Sequence, residues 1–369
     1  MKENWTYKKL GEVCDVKTGK LDANASDGNG LYPFFTCSKE PLRINTYSYD
    51  AECVLVAGNG DLNVKYYNGR FDAYQRTYII TLKNGITDIS VRYLYCFFLL
   101  YVETLRKKSI GGVIKYIKLG DITEAKVYIP SLSEQSRIVS ELDLLQSIID
   151  KQQAQLKELD KLAQAVFYDM FGDPVENEKG WEVKTMGEVG ELQRGSGLSK
   201  KDLIENGFPC MLYGQIHTRF GAYTKKHVAC IPKELVKTAK IAHPGDVIMA
   251  ITSEDVEGSC KSVAWMGDYD IAIGSDAAIY RHTMNGIYVS YYTQTKAFFN
   301  EKAKYAKGFK VTHISTKEIA AIPIPNPPLS LQQSFAAKIE SIEKQKDAIS
   351  QSIAETQKLF DYTMDKYFG

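Results

Sequence analysis

Residues 130–172 read PSLSEQSRIVSELDLLQSIIDKQQAQLKELDKLAQAVFYDMFG. Apolar side chains recur here at 3-4 spacing without a slip: Ile138, Leu142, Leu145, Ile149, Leu156, Leu159, Ala163, Val166 and Met170, with Gln152 as the one polar member. Such a pattern is the seam of a helix packed on another helix, held over about four heptads. Ser133 is placed to cap its start, and Gly172-Asp173-Pro174 stops it. From residue 138 to residue 170, at 1.5 Å per residue, the rod is about 50 Å long.

The same seam occurs a second time, at Phe335, Ile339, Ile342, Lys346, Ile349, Ile353, Thr356, Phe360, Thr363 and Tyr367, an offset of 197. That offset holds without a gap from Gly111/Gly308, through Ile117/Ile314, Ile122/Ile319 and PSLSEQ/PPLSLQ, to Phe171-Gly172/Phe368-Gly369. Upstream, WTYKKLGEV (5–13) matches WEVKTMGEV (181–189) at an offset of 176, which Gly19 and Gly195 keep. The chain is therefore a tandem duplication, and its second copy carries 21 additional residues in its globular part. Each copy is a globular part followed by a helix: residues 1–129, 130–174, 175–326 and 327–369. β-rich runs at 53–57, 77–81 and 246–250, and a helical run at 91–104, make the globular parts mixed. The expected fold class is α+β: two α/β globular domains related by a pseudo-twofold axis and separated by an antiparallel two-helix coiled-coil spacer. Lys346, Thr356 and Thr363 interrupt the second seam, which leaves open whether they face the first helix, a partner or water.

Composition narrows the classes further. Of 369 residues 44% are hydrophobic and 25% charged, a globular balance. The apolar run at 93–102 is too short to span a bilayer, and MKENWTYKKL lacks a signal core, so a cytoplasmic chain without membrane attachment is expected. Seven cysteines without a C-x-x-C suggest reduced thiols and no metal site. Taken alone, the net charge of +1 argues against nucleic acid. Split along the repeat, it is +4 for residues 1–129, −5 for 130–176, +3 for 177–326 and −1 for 327–369. The globular parts are mildly basic and the helices acidic, so the free chain should hold DNA weakly.

The order of parts, with W-x-x-K-x-L/M-G-E-V opening each half, PSLSEQSRI starting the first helix, and FYDMFGDP with Gly180-Trp181 leaving it, resembles the specificity subunit of Type I restriction-modification systems. The resemblance covers essentially the whole chain. It implies that each globular part is a target recognition domain reading one half of a bipartite site in double-stranded DNA. It also implies that the helices set the spacing and dock two methyltransferase subunits. S-adenosylmethionine, ATP and Mg then belong to partner methyltransferase and restriction/translocase subunits, with no cofactor in this chain. The alternative is a repeat-built protein-interaction scaffold with no DNA role.

Base readout needs amide, hydroxyl and cationic side chains on loops. In the first copy the candidates lie in NGDLNVKYYNGR (59–70) and just after it: Asn59, Lys65, Tyr67, Arg70, Gln75 and Arg76. The plain alternative is a polar hairpin at a sheet edge, turning at Asn68-Gly69. Lys115 and Tyr116 follow Gly111-Gly112, and Lys307, Lys310 and His313 hold the equivalent stretch of the second copy. A phosphate-holding loop and a mere helix-to-strand connector both fit this stretch. Gln215, Arg219, Ser253 and Lys261 are further loop candidates. Catalytic motifs do not emerge. Asn326-Pro327-Pro328-Leu329 superficially matches a methyltransferase loop, but Leu stands where an aromatic would stack on a flipped base, and its repeat partner is simply a helix start. No phosphate-binding P-loop or G-x-S-x-G elbow is present. A binding protein without catalytic residues is expected.

Overall fold

The computed structural model describes residues 6–306 and 312–369. The chain forms two units, Met1–Ala154 with Ile349–Gly369, and Gln155–Ala348. Two 40-residue helices, Leu132–Phe171 and Leu329–Phe368, each contribute a part to both units. At 1.5 Å per residue each is about 60 Å long, one turn or more beyond the seam that the sequence marks out.

The first unit is built on a six-stranded sheet in the order Cys14–Thr18, Thr77–Leu82, Tyr49–Ala57, Val64–Ala73, Tyr32–Phe35, Leu42–Ile44. Its pairings are antiparallel except that of Tyr32–Phe35 with Val64–Ala73. The central strand shows why it is buried on both sides. Val54 and Val56 join the core under helix Val91–Lys108, while Cys53 and Leu55 face a small core with Phe35, Phe71 and Ile79. Period-two alternation sends neighbouring side chains into different cores. Helix Val91–Lys108 runs a turn past the expected 104. Ser90 Oγ accepts from Tyr93 N at 3.1 Å at one end, and Arg106, Lys107 and Lys108 lie at the carbonyl end, where cations are favoured.

The second unit holds a five-stranded sheet, Gly190–Arg194, Ala277–His282, Val247–Ala250, Ser262–Trp265, Tyr223–Thr224, and a four-stranded sheet, Ala229–Ile231, Phe208–Met211, Ile271–Ile273, Lys240–Ala242. Equivalent pairs locate the additional residues of this copy. Phe34 pairs with Asp72 and Cys210 with Ala272, in parallel in both cases. The offset is still 176 from Phe34 to Cys210 but has grown to 200 from Asp72 to Ala272. The growth therefore falls between these points, where the short helix Tyr213–Thr218 and strands Tyr223–Thr224 and Ala229–Ile231 are found.

The repeat motifs have physical causes. In WTYKKLGEV, Leu10 and Val13 are buried and Glu12 accepts from Lys9 N at 3.2 Å; in WEVKTMGEV, Met186 and Val189 are buried and Glu188 accepts from Thr185 N at 2.6 Å. Each glutamate caps a one-turn helix. A Cβ on Gly19 would lie 2.1 Å from Ala73 O, and one on Gly195 2.1 Å from Gly274 O, so both positions exclude any side chain. Gln135 and Gln332 are also matched. Gln135 accepts from Ser90 N (2.8 Å) and donates to Asp88 O (2.7 Å) and Pro130 O (2.9 Å). Gln332 accepts from Asn285 N (2.8 Å) and donates to Pro327 O (2.8 Å). Each buried amide ties the start of a long helix to the capping residue of its unit's own helix. At the far end of the first long helix, Gly172 takes φ +76, and Trp181 Nε1 donates to Phe171 O at 2.8 Å, which gives the Gly180-Trp181 phrase its role.

Within each unit the long helices run antiparallel. In the first unit Arg137 donates to Tyr367 Oη at 2.9 Å and Gln152 to Ser352 Oγ at 2.7 Å; in the second, Lys346 meets Asp160 at 2.7 Å. Ile138, Leu142, Leu145, Ile149, Ile339 and Ile342 are buried, and Leu156, Leu159, Ile349 and Ile353 are half-buried. The interrupting residues also face inward. Thr363 is 2% exposed, and Thr356 Oγ1 returns to Ser352 O at 2.9 Å. Burial opposes the charge of Lys346, but hydrogen bonds to Asp160 and Glu343 outweigh it and hold its pKa above the ordinary lysine value. Two local expectations are corrected. The helix is capped by Ser131, whose Oγ accepts from Glu134 N at 3.3 Å, not by Ser133, which is already the second residue of the helix. Asn68-Gly69 is not a turn: residues 64–73 form one strand, paired continuously with Tyr49–Ala57, and the chain reverses at residues 58–63 because buried Leu62 anchors that loop.

Candidate nucleic-acid interface

In the first unit two candidate stretches far apart in sequence are joined. Gly58 N donates to Arg76 O at 2.8 Å, Gly60 N to Lys115 O at 2.9 Å, and Ile117 N to Gly58 O at 3.0 Å. Asn59 and Tyr116 form a β-bridge, and Ile110 and Tyr116 another, so residues 110–116 are a small hairpin rather than a plain connector. Glycine is required where the backbones meet, since a Cβ on Gly58 would lie 2.4 Å from Arg76 O. The second unit repeats the device. Thr252–Ser253 pairs with Thr312–His313, with Thr252 opposite His313, the repeat partner of Tyr116. Thr252 Oγ1 and His313 Nδ1 are 3.3 Å apart, and His217 Nε2 lies 3.4 Å from Thr252 O.

The candidates divide by whether their polar groups are already engaged. Among the described residues, the side chains of Asn59, Arg76, Lys115, Tyr116 and Arg219 make no hydrogen bond or ion pair, and Arg76, Lys115, Tyr116 and Arg219 are exposed. Others are committed. Arg70 pairs with its cross-strand neighbour Asp50 at 3.1 Å and lies 4.9 Å from the ring of Tyr47. Tyr67 packs between Phe35 and Phe71, with centroids 5.1 and 5.6 Å away. Lys65 donates to Asn63 Oδ1, and burial lowers its pKa. Gln75 donates to Asp22 at 2.8 Å. Gln215 accepts from Leu212 N at 2.9 Å as a helix cap, and Lys261 donates to His217 O at 3.0 Å. Ser253 Oγ accepts from Asp255 N at 3.5 Å. Lys307 and Lys310 lie outside the described residues.

Two residues that sequence reasoning passed over hold these loops in place. Arg106, in the last turn of helix Val91–Lys108, donates to Leu62 O and pairs with Asp61 at 3.4 Å. In the second unit Lys302, 4% exposed, donates to Glu257 O at 2.8 Å and to Ser259 O at 2.5 Å. Burial lowers its pKa. Each is a long cation near the end of the helix that precedes the glycine-containing stretch of sequence, and that position is the signal that could have found them. Other features bear on what the surface can do. Among the described residues no group of three His, Cys, Asp or Glu could hold a metal ion, and no helix is long and apolar enough to cross a membrane. The 326–329 stretch joins strand Pro323–Pro325 to the second long helix: Asn326 N donates to Glu182 O at 2.8 Å, and the helix starts at Leu329.

A family profile described as Type I restriction modification DNA specificity domain matches residues 2–161 and 178–358. The EcoDI specificity subunit of Escherichia coli is 40% identical over 159 residues, 43% of this chain and 35% of that subunit. The chain thus matches about a third of that relative's length. The MjaVIII specificity subunit of Methanocaldococcus jannaschii is 23% identical over 380 residues, covering 92% of this chain and 86% of that one. In fold, the S subunit of M. genitalium is similar, with a TM-score of 0.60 at 15% identity over 99% of this chain and 96% of that one. A chain from a structure on complex assembly and conformational transition of the type I restriction-modification system gives a TM-score of 0.57 at 20% identity, over 99% and 98%. With both copies of the repeat matched by the profile, the chain belongs to the Type I restriction modification DNA specificity domain family.

Proposed function

We propose that this chain is the non-catalytic, sequence-reading subunit of a Type I restriction-modification complex. Each unit reads one half of a bipartite target in double-stranded DNA through its pair of joined loops. Asn59, Arg76, Lys115 and Tyr116 serve one half-site; Arg219 and His313 serve the other. The two long helices set the spacing between half-sites and dock two methyltransferase subunits. Those partners bring S-adenosylmethionine, and restriction/translocase subunits bring ATP and Mg; the complex acts in the cytoplasm. The observation that carries this reading is the repeated loop pairing, Asn59 with Tyr116 and Thr252 with His313. A duplication that keeps one loop junction while changing its side chains is what reading two different half-sites requires.

The test is retention of duplex DNA by this chain, alone and with its methyltransferase subunits, over a series of salt concentrations. Weak binding alone, and tight binding that falls with salt in the assembly, is expected. Binding that is absent or indifferent to salt in the assembly would favour the scaffold, for which the repeat itself is the one supporting observation.

A further inference from the structure

The hairpin at residues 110–116 does something that polar recognition does not need. Its tip is apolar and exposed: Val113 is 104% exposed and Ile114 62%. Ile110 and Tyr116 at its base are 42% and 41% exposed. Exposed apolar side chains on a slack loop would fold back onto the protein. This tip cannot. Ile110 N donates to Tyr116 O at 3.0 Å, Tyr116 N donates to Ile110 O at 2.8 Å, and Gly60 N ties Lys115 O to the neighbouring loop at 2.9 Å. Gly111 sits at φ +122, and a Cβ there would lie 2.5 Å from Ile114 O, so the turn is held by a residue that only glycine can replace.

Charge says what the tip meets. Residues 106–118, RKKSIGGVIKYIK, hold Arg106, Lys107, Lys108, Lys115 and Lys118 and no acidic residue. Arg106 is engaged with Asp61, Glu103 and Leu62 O, and Lys108 donates to Tyr101 Oη at 3.4 Å, but Lys107, Lys115 and Lys118 remain to face a partner. An apolar point ringed by cations fits a polyanion whose interior is apolar. Phosphates meet the lysines, and the stacked bases between them receive the point.

We propose that Val113 and Ile114 form a wedge that enters a base step of the DNA half-site read by the first unit. It partly unstacks that step and adds specificity through how easily the step deforms. The wedge rests on the DNA-reading function proposed above and adds a mode of readout to it. Because pyrimidine–purine steps open most easily, the step chosen should be of that kind. The hairpin would then discriminate sequence without a hydrogen bond to any base edge.

The experiment uses this chain assembled with its methyltransferase subunits, and a labelled duplex carrying the target that methylome sequencing identifies for that assembly. V113S/I114S is compared with K107A/K108A/K115A. The serine variant should bind roughly ten- to a hundredfold more weakly, from the apolar area it no longer buries, with an unchanged slope of log affinity against log salt. The alanine variant should lower that slope. With 2-aminopurine scanned through the first half-site, away from the methylated adenine, wild-type binding should raise fluorescence at one step and the serine variant should not. If the serine variant binds as tightly as wild type, with the same fluorescence, the wedge is wrong while the DNA-reading function stands. If it instead fails to assemble with the methyltransferase subunits, the tip is a protein contact and the wedge is also wrong. If the wild-type assembly shows no salt-dependent DNA binding, the underlying function fails and the wedge with it.

Discussion

Replacing Lys302 by methionine tests how the loop at residues 254–261 of the second unit is held. The ammonium is buried and donates to two backbone carbonyls, Glu257 O at 2.8 Å and Ser259 O at 2.5 Å. Methionine fills a similar volume but donates nothing. A buried carbonyl left without a donor costs about 1–3 kcal/mol. Ser259 is fully buried and bears the whole cost, whereas Glu257 is an exposed residue whose carbonyl water can reach in part. The loop should therefore lose about 2–4 kcal/mol against local opening. At 1.4 kcal/mol per tenfold, that is roughly a hundredfold rise in the open population. Native-state hydrogen exchange reads it directly, at the amides of Gly258, Cys260 and Lys261, which bond to Asp255 Oδ1, Ala250 O and Gly258 O. Lys304→Met, which removes only an exposed pair with Glu301, is the control and should leave these amides unchanged. If K302M exchanges like wild type, Lys302 does not hold the loop and the reasoning is refuted.

Other predictions follow from the same geometry. Gln135→Leu strands the Ser90 amide and two carbonyls and should lower stability in urea by about 3–5 kcal/mol, with Gln332→Leu, which has two partners, costing less; equal, negligible midpoint shifts would show that these glutamines are dispensable. Burial pushes Cys14, Cys53, Cys96, Cys210 and Cys260 up to about 12, and Cys37 is the one cysteine of the seven that is not buried. Thiol titration of the native protein should therefore find about one fast group and release the rest on unfolding; several fast groups would contradict the packing. Burial lowers the pKa of His282 from 6.5 to about 4. Unfolding then takes up a proton between those values, so stability is full above pH ~6.5 and falls as pH drops toward ~4. His282→Phe should flatten that slope in denaturant melts, and a slope as steep as wild type would remove His282 as its source.

Much of the fold was legible because it depends on patterns that survive without side-chain detail. The 3-4 seam from Ile138 to Met170 placed one long helix, and the constant offset to Phe335–Tyr367 placed the other. In sequence the Gly19/Gly195 match is only part of the repeat, and the structure shows its cause in the close backbone approaches to Ala73 O and Gly274 O. The interface was less legible, since residue type does not reveal prior engagement. Arg70 reads as a base or phosphate ligand, yet its register opposite Asp50 gives it a partner inside the sheet. Gln215 reads as an amide for adenine but caps a helix. The Asn68-Gly69 reading failed because long-range anchoring overrode a local turn preference: Leu62 is buried and Arg106 grips its carbonyl, so the chain reverses there. The pairing of Asn59 with Tyr116 joins residues more than fifty positions apart in sequence, and no local pattern encodes it.

If the two units read separate half-sites at a spacing set by the helices, that spacing must follow helix length. The methylome of cells carrying this chain with one heptad added to each long helix, inserted at paired positions so that the antiparallel seam is kept, reads it out. Seven residues at 1.5 Å add about 10 Å, or roughly three base pairs at 3.4 Å each. The same two half-sites with a longer spacer are expected. Altered half-site bases, or an unchanged spacer, would contradict this.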